Sequence, residues 1–165
     1  MSVDEDESKI VGGELIEITD RPFQVAFLYN GNLRCGGAWL GGNVVLTAAH
    51  CCNAIGSPQF TNQDGEILDL SDTKIAAGER RSCTSISHLP SLHGSVQVKK
   101  IKSLVMHPQY DSIAGTNDIC LLTLESPLEF NDNVKSISID KNKPVVGTNT
   151  TCLLSGWGRQ KVGRT

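Results

Sequence analysis

Thr47-Ala48-Ala49-His50-Cys51 puts an imidazole directly beside a cysteine. An imidazole can take a proton from a hydroxyl near neutral pH, and a neighbouring cysteine can pin the backbone that carries it. The ring is only half of such a device. To act as a base it needs a carboxylate on its other nitrogen, which fixes its tautomer and its orientation. Asp118 is the best candidate. It stands in Thr116-Asn117-Asp118-Ile119-Cys120-Leu121-Leu122, where a polar turn feeds an apolar run that reads as a buried strand. An aspartate before an apolar run is also an ordinary turn residue, and a single His-Cys pair carries little alone.

Outward from this stretch, Ile10-Val11-Gly12-Gly13 follows Asp4-Glu5-Asp6-Glu7-Ser8-Lys9. Read alone, that charge run is a solvated tail. Ending in a lysine before a small apolar segment, it reads instead as a cleavable pro-segment ahead of a new amino terminus. Cys35-Gly36-Gly37 and Cys152-Leu153-Leu154-Ser155-Gly156-Trp157-Gly158 complete the set. These five motifs, in this order from Ile10 to Gly158, resemble the trypsin-like, or chymotrypsin-fold, serine proteases.

The resemblance implies a serine-type endopeptidase acting on protein or peptide substrates, with His50 as general base and Asp118 as its orienting acid. Lys9 and Ile10 would flank the cut made by an activating protease. In this family the nucleophile sits in a Gly-Asp-Ser-Gly-Gly segment well after the Gly-Trp-Gly motif, and residues 159–165 hold no such segment. Gly56-Ser57-Pro58 and Gly94-Ser95-Val96 read as loop or strand-start sequence. The family's oxyanion donors and specificity pocket also come from its carboxyl-terminal part. Losing the nucleophile of such a triad costs on the order of a millionfold in turnover, and the residual catalysis needs an oxyanion hole. The expectation is a chain that is a protease by ancestry, has no nucleophile and is inactive alone. The alternative is a short noncatalytic relative acting as a binding or decoy module, against which the intact His50 and Asp118 argue.

Six cysteines favour an oxidising, extracellular setting over the cytosol. Cys35, His50, Cys51 and Cys52 include soft ligands, but adjacent cysteines lack the Cys-x-x-Cys spacing of a zinc site, so no metal is expected. The resemblance pairs Cys35 with Cys51. Cys52 and Cys120 each follow a proposed triad member by two residues; since His50 and Asp118 must meet, a Cys52 to Cys120 crosslink is inferred. Cys152 matches a family cysteine whose partner lies beyond this chain, and Cys83 is left unassigned.

Composition narrows the class further. The net charge of −3 resides in the first nine residues, which hold four acids and one lysine and leave 14 acids facing 14 bases elsewhere. That balance gives no basic patch for nucleic acid. No apolar run approaches 18 residues, so no membrane span is expected. No signal peptide precedes the acids, which reads as a clipped amino terminus of a secreted protein. The resemblance implies no cofactor.

Short apolar segments separated by Gly, Asn and Asp turns predict strands at 23–29, 33–40, 44–48, 74–77, 95–106 and 119–124. The alternation of Val96, Val98 and Ile101 with lysines suits a strand with one wet face. Six strands suit an all-β, antiparallel six-stranded barrel, the first half of a chymotrypsin-like double β-barrel, plus the start of a second. The expected organisation is an acidic pro-segment at 1–9, a first barrel at 10–125, a connection at 126–150, and the start of a truncated second barrel at 151–165. A barrel cannot close with one strand, so an exposed apolar face is expected there. The loop at 80–94, where calcium-binding relatives carry acids, holds none after Glu79, and no calcium site is expected. His88, His93 and His107 read as surface or turn residues, and Asn149-Thr150-Thr151 as a weak glycan acceptor.

Overall fold

Asn30 and Gly31 reverse the chain because both can take positive φ, 48° and 77°. Two such residues make the tight turn whose twist matches a β-hairpin. In the computed structural model, which describes residues 13–53, 70–79, 96–141, 147 and 149–158, this turn joins β1 (Gln24–Tyr29) to β2 (Asn32–Gly41). A second reversal, with Gly41 at φ 106° and Gly42 at φ 53°, leads into β3 (Val44–Thr47). A one-turn helix, α1 (Ala49–Asn53), follows, and then β4 (Thr73–Ala77), β5 (Gln97–Met106) and β6 (Cys120–Leu124).

The strands close into a barrel in the order β1-β2-β3-β6-β5-β4, every pair antiparallel. This is the all-β, six-stranded barrel that the sequence predicts, with strand ends within two residues of expectation. Closure matters physically because it leaves no unpaired sheet edge. The helix α1 is a difference. Five residues are too few to show a 3.6-residue period, so nothing in the local pattern announces it.

Side chains alternate across the barrel wall, and Val25, Phe27, Trp39, Val45, Ile75 and Leu122, all fully buried, fill the interior. The Trp39 indole N–H, which would otherwise be stranded, donates to the Gly42 carbonyl at 3.0 Å. Beyond β6 the chain wraps the barrel end: Lys135 N–H donates to Pro22 O at 3.0 Å and Ile137 N–H to Trp39 O at 2.9 Å. Leu128 and Val134 on this stretch join the interior core.

β1 is buried on both faces. Its outward residues, Ala26 and Leu28, form a second apolar cluster with Ala76, against which Leu33, Val96 and Trp157 pack. This explains a departure from expectation in β5. Val98 pairs with Ala76 on the outer wall, while Ile101 points inward; the two do not share a face. Trp157 packs against the outer wall at Ala26, Leu28 and Ala76, while Val98 itself stays exposed. Ser155 Oγ donates to Gln24 Oε1 at 2.9 Å, so this segment reaches β1 by a polar contact as well. Residues 149–158 form no strand among the described residues, and Leu153 and Leu154 remain 81% and 85% exposed.

Gly37 is required by close approach. A Cβ there would stand 2.9 Å from the Leu46 carbonyl oxygen and 3.1 Å from Val45 Cγ1. Backbone on the neighbouring strand cannot yield cheaply, so Gly37→Ala is expected to destabilise the barrel by about 1–3 kcal/mol. Chemical denaturation checks this, and an unchanged midpoint would contradict it. The described helices include none long and apolar enough to cross a membrane.

Candidate active site

β3 delivers the chain to α1 with its direction already set. Thr47 pairs with Cys120 in the β3–β6 ladder, and its Oγ1 donates to the Gly36 carbonyl of β2 at 2.8 Å. The hydroxyl is thus satisfied although Thr47 is buried. Two residues later α1 begins, and its adjacent cysteines bind it to different strands. Cys51 is bonded to Cys35 of β2 and Cys52 to Cys120 of β6, with Cα atoms 6.2 Å and 6.7 Å apart. His50 is therefore held by a helical turn anchored to two walls of the barrel.

Asp118 arrives from the other side. Asn117 sits at φ 55°, a conformation that asparagine tolerates better than most residues, and Ile119 N–H donates back to Asn117 O at 2.8 Å. The Asn117 side-chain amide donates to Gln109 O at 2.8 Å, and His107 N–H to Ile119 O at 2.9 Å. Upstream, Asp111 Oδ1 accepts from Ile113 N–H at 2.8 Å and Ala114 N–H at 3.1 Å, which closes the loop and holds that carboxyl below its usual range. His107 Nδ1 accepts from Gln109 N–H at 3.1 Å, a turn role.

These two braced segments bring the Asp118 carboxylate onto His50 twice. Oδ2 lies 2.6 Å from His50 Nδ1, and Oδ1 accepts from the His50 backbone N–H at 2.7 Å. The carboxylate selects the tautomer with hydrogen on Nδ1, leaving the lone pair on Nε2. The His50 side chain is 60% exposed, so Nε2 can meet a reactant. Among the described residues its near neighbour is Cys51 Sγ at 3.4 Å, a disulfide sulfur and thus a weak acceptor.

The Asp118 carboxyl is lowered from its ordinary value, first by the hydrogen bond from the His50 ring and then by the His50 backbone N–H, against the opposing effect of desolvation. A lowered carboxyl favours the folded pairing above the ordinary aspartate range, and this contribution is lost as pH falls through the lowered value. The expected result is a His50 Nδ1–H resonance that persists down to that acidic range and disappears below it. Proton NMR across a pH series checks this; loss of the resonance while Asp118 is still ionised would contradict it.

Sγ of Cys35, Sγ of Cys51 and a His50 ring nitrogen all lie within 4.8 Å of one another. In the disulfide state the two sulfurs are bonded to each other and offer no thiolate to a cation. Cys152 is free and exposed. Lys9, Ile10, Cys83, His88, His93 and the loop at 80–94 lie outside the described residues. The roles of Asn117, Thr47 and α1 were not legible beforehand. The one available signal was an asparagine next to the candidate acid, a residue suited to positive φ.

A closed antiparallel barrel thus holds a histidine–carboxylate pair at its rim, with the second ring nitrogen beside a disulfide sulfur, an arrangement chemically able to accept and return a proton. The family model described as Trypsin matches residues 10–165, and the chain belongs to that family of serine endopeptidases. It is 31% identical over 161 residues to Serine protease 1 of Canis lupus familiaris, covering 97% of this chain and 54% of that protein. With Trypsin-3 of Homo sapiens it shares 31% over 154 residues, 93% of this chain and 42% of the relative. With the Vitellin-degrading protease of Bombyx mori it shares 27% over 164 residues, 94% of this chain and 50% of that protein. The chain thus spans about half the length of the curated relatives it matches.

Proposed function

We propose that this chain supplies the general base and its orienting acid to a secreted trypsin-like serine endopeptidase that cleaves peptide bonds in protein or peptide substrates. The observation that carries the reading is the double contact of Asp118 with His50, which leaves Nε2 free to receive a proton. A serine hydroxyl presented at Nε2 would lose its proton to the ring as the oxygen attacks the scissile carbonyl. Asp118 would stabilise the imidazolium so formed, and Nε2 would return the proton to the leaving amine. Activation would follow a cut between Lys9 and Ile10 by another protease. Residues 1–9 would be the pro-segment, 10–125 the first barrel, 126–150 the connection and 151–165 the entry to a second barrel. Two disulfides support an extracellular setting.

The 165 residues by themselves are proposed to turn over no substrate, for want of a nucleophile and oxyanion donors. The test uses two proteins: the chain itself, and a hybrid in which residues 10–158 precede the carboxyl-terminal half of a related trypsin. The chain should leave peptide esters intact, and the hybrid should hydrolyse them and be blocked by a fluorophosphonate. Hydrolysis by the chain alone that the fluorophosphonate abolishes would overturn the inactivity, and a folded hybrid that the reagent does not label would overturn the assignment of His50.

A further inference from the structure

We propose that, when the Cys35–Cys51 disulfide is reduced, its two sulfurs and His50 Nε2 form a three-ligand zinc site at the rim of the barrel. Sequence spacing hides this site, because Cys35 and Cys51 are 16 residues apart and are brought together only by β2 and α1. The geometry fits a tetrahedral cation. Zn–S and Zn–N bonds of about 2.3 and 2.0 Å place a nitrogen and a sulfur ligand roughly 3.5 Å apart. His50 Nε2 already lies 3.4 Å from Cys51 Sγ. Cα atoms 6.2 Å apart let two thiolates separate, by side-chain rotation, to the roughly 3.8 Å that such a site needs.

The ligand set points to zinc over harder cations, since two thiolates and an imidazole offer no oxygen for calcium or magnesium. Asp118 supplies the usual support of a metal-bound histidine. Its carboxylate accepts the Nδ1 hydrogen at 2.6 Å, which fixes the lone pair on Nε2 and makes that nitrogen a better donor. The fourth position faces solvent, because the His50 side chain is 60% exposed.

Access makes the reduction selective. Cys35 is half-buried, whereas Cys52 and Cys120 are both fully buried. A dithiol reductant therefore meets the Cys35 sulfur first. Its thiolate attacks that sulfur, the S–S bond breaks and the electron pair leaves on Cys51. The second thiol of the reductant then closes a cyclic disulfide and releases the Cys35 thiol. Two protons leave for solvent when zinc binds both sulfurs. Cys52–Cys120 stays closed and keeps α1 on β6, so the three ligands remain together. Zinc on Nε2 would occupy the lone pair of the base; that consequence rests on the function proposed above, whereas the metal site does not.

The test uses the whole chain with its free thiols, Cys152 among them, first capped by N-ethylmaleimide. One equivalent of dithiothreitol is then added, followed by cobalt(II) as a visible probe for zinc. The expected result is one cobalt per chain, with a sulfur-to-cobalt charge-transfer band and tetrahedral d–d bands, both displaced by zinc. Iodoacetamide should label Cys35 and Cys51, and the combined fluorescence of Trp39 and Trp157 should stay native. Asp118→Asn should weaken cobalt binding about 10–100-fold, and His50→Ala should weaken it at least as much. Labelling of Cys52 or Cys120 before Cys35, unfolding on reduction, absence of the cobalt bands, or equal affinity in His50→Ala would each overturn the proposal.

Discussion

Replacing His50 by alanine in the hybrid that carries a nucleophile is expected to lower turnover on the order of a millionfold, with KM little changed. The figure is the one measured for loss of the base in triads of this type, where the members act as a unit. The structure gives a sharper companion result. Both Asp118 oxygens are acceptors, one for the ring Nδ1 and one for the His50 backbone N–H. An asparagine offers only one acceptor and must present its NH2 to one of these partners. If its oxygen keeps the backbone N–H, the NH2 faces Nδ1 and drives the ring hydrogen to Nε2, the tautomer that cannot accept a proton. Asp118→Asn should therefore cost about ten-thousandfold in kcat, as in the related triad, while the fold stays intact. Steady-state kinetics with a peptide ester, together with circular dichroism of each variant, checks both. Turnover in Asp118→Asn within tenfold of the parent would mean that the contact is structural and not part of the chemistry.

Removing Cys52–Cys120 is expected to cost about 4 kcal/mol, against about 3 kcal/mol for Cys35–Cys51. Each value follows from the entropy of closing the loop in the unfolded chain, with sequence separations of 68 and 16 residues. The longer loop also ties α1 to β6, so its opening frees the segment that holds His50 opposite Asp118. Small domains are typically stable by only about 5–15 kcal/mol, so the double variant Cys52→Ala with Cys120→Ala loses a large share of the whole. Guanidinium denaturation of the two double variants measures the difference. A larger loss from the shorter loop would show that local packing and not loop entropy sets the order.

The barrel was legible because its signals are short-range. Asn30-Gly31 and Gly41-Gly42 mark reversals through positive φ, and runs such as Cys120–Leu124 carry enough apolar residues to mark a buried strand. His50 and Asp118 could be paired only through the order of motifs, since 68 residues separate them and no local pattern links the two. The helix α1 escaped notice because one turn has no period. The face of Val98 was misjudged for a different reason. Val98 stays exposed on the outer wall beside Ala76, and that wall is apolar at Ala26, Leu28 and Ala76 because Trp157, far away in sequence, packs against it.

The sequence by itself determined the strand series, the turns, the candidate base and acid, and the family, because turn chemistry, alternation and motif order are written in contiguous residues. Only the tertiary structure decided that one carboxylate grips His50 at both ring and backbone, that the two expected crosslinks fasten a single helical turn to the strands on either side of β3, and that Cys35, Cys51 and His50 converge. Those are contacts between groups distant along the chain. They come into being when the barrel closes and brings β2, α1 and the approach to β6 to one rim.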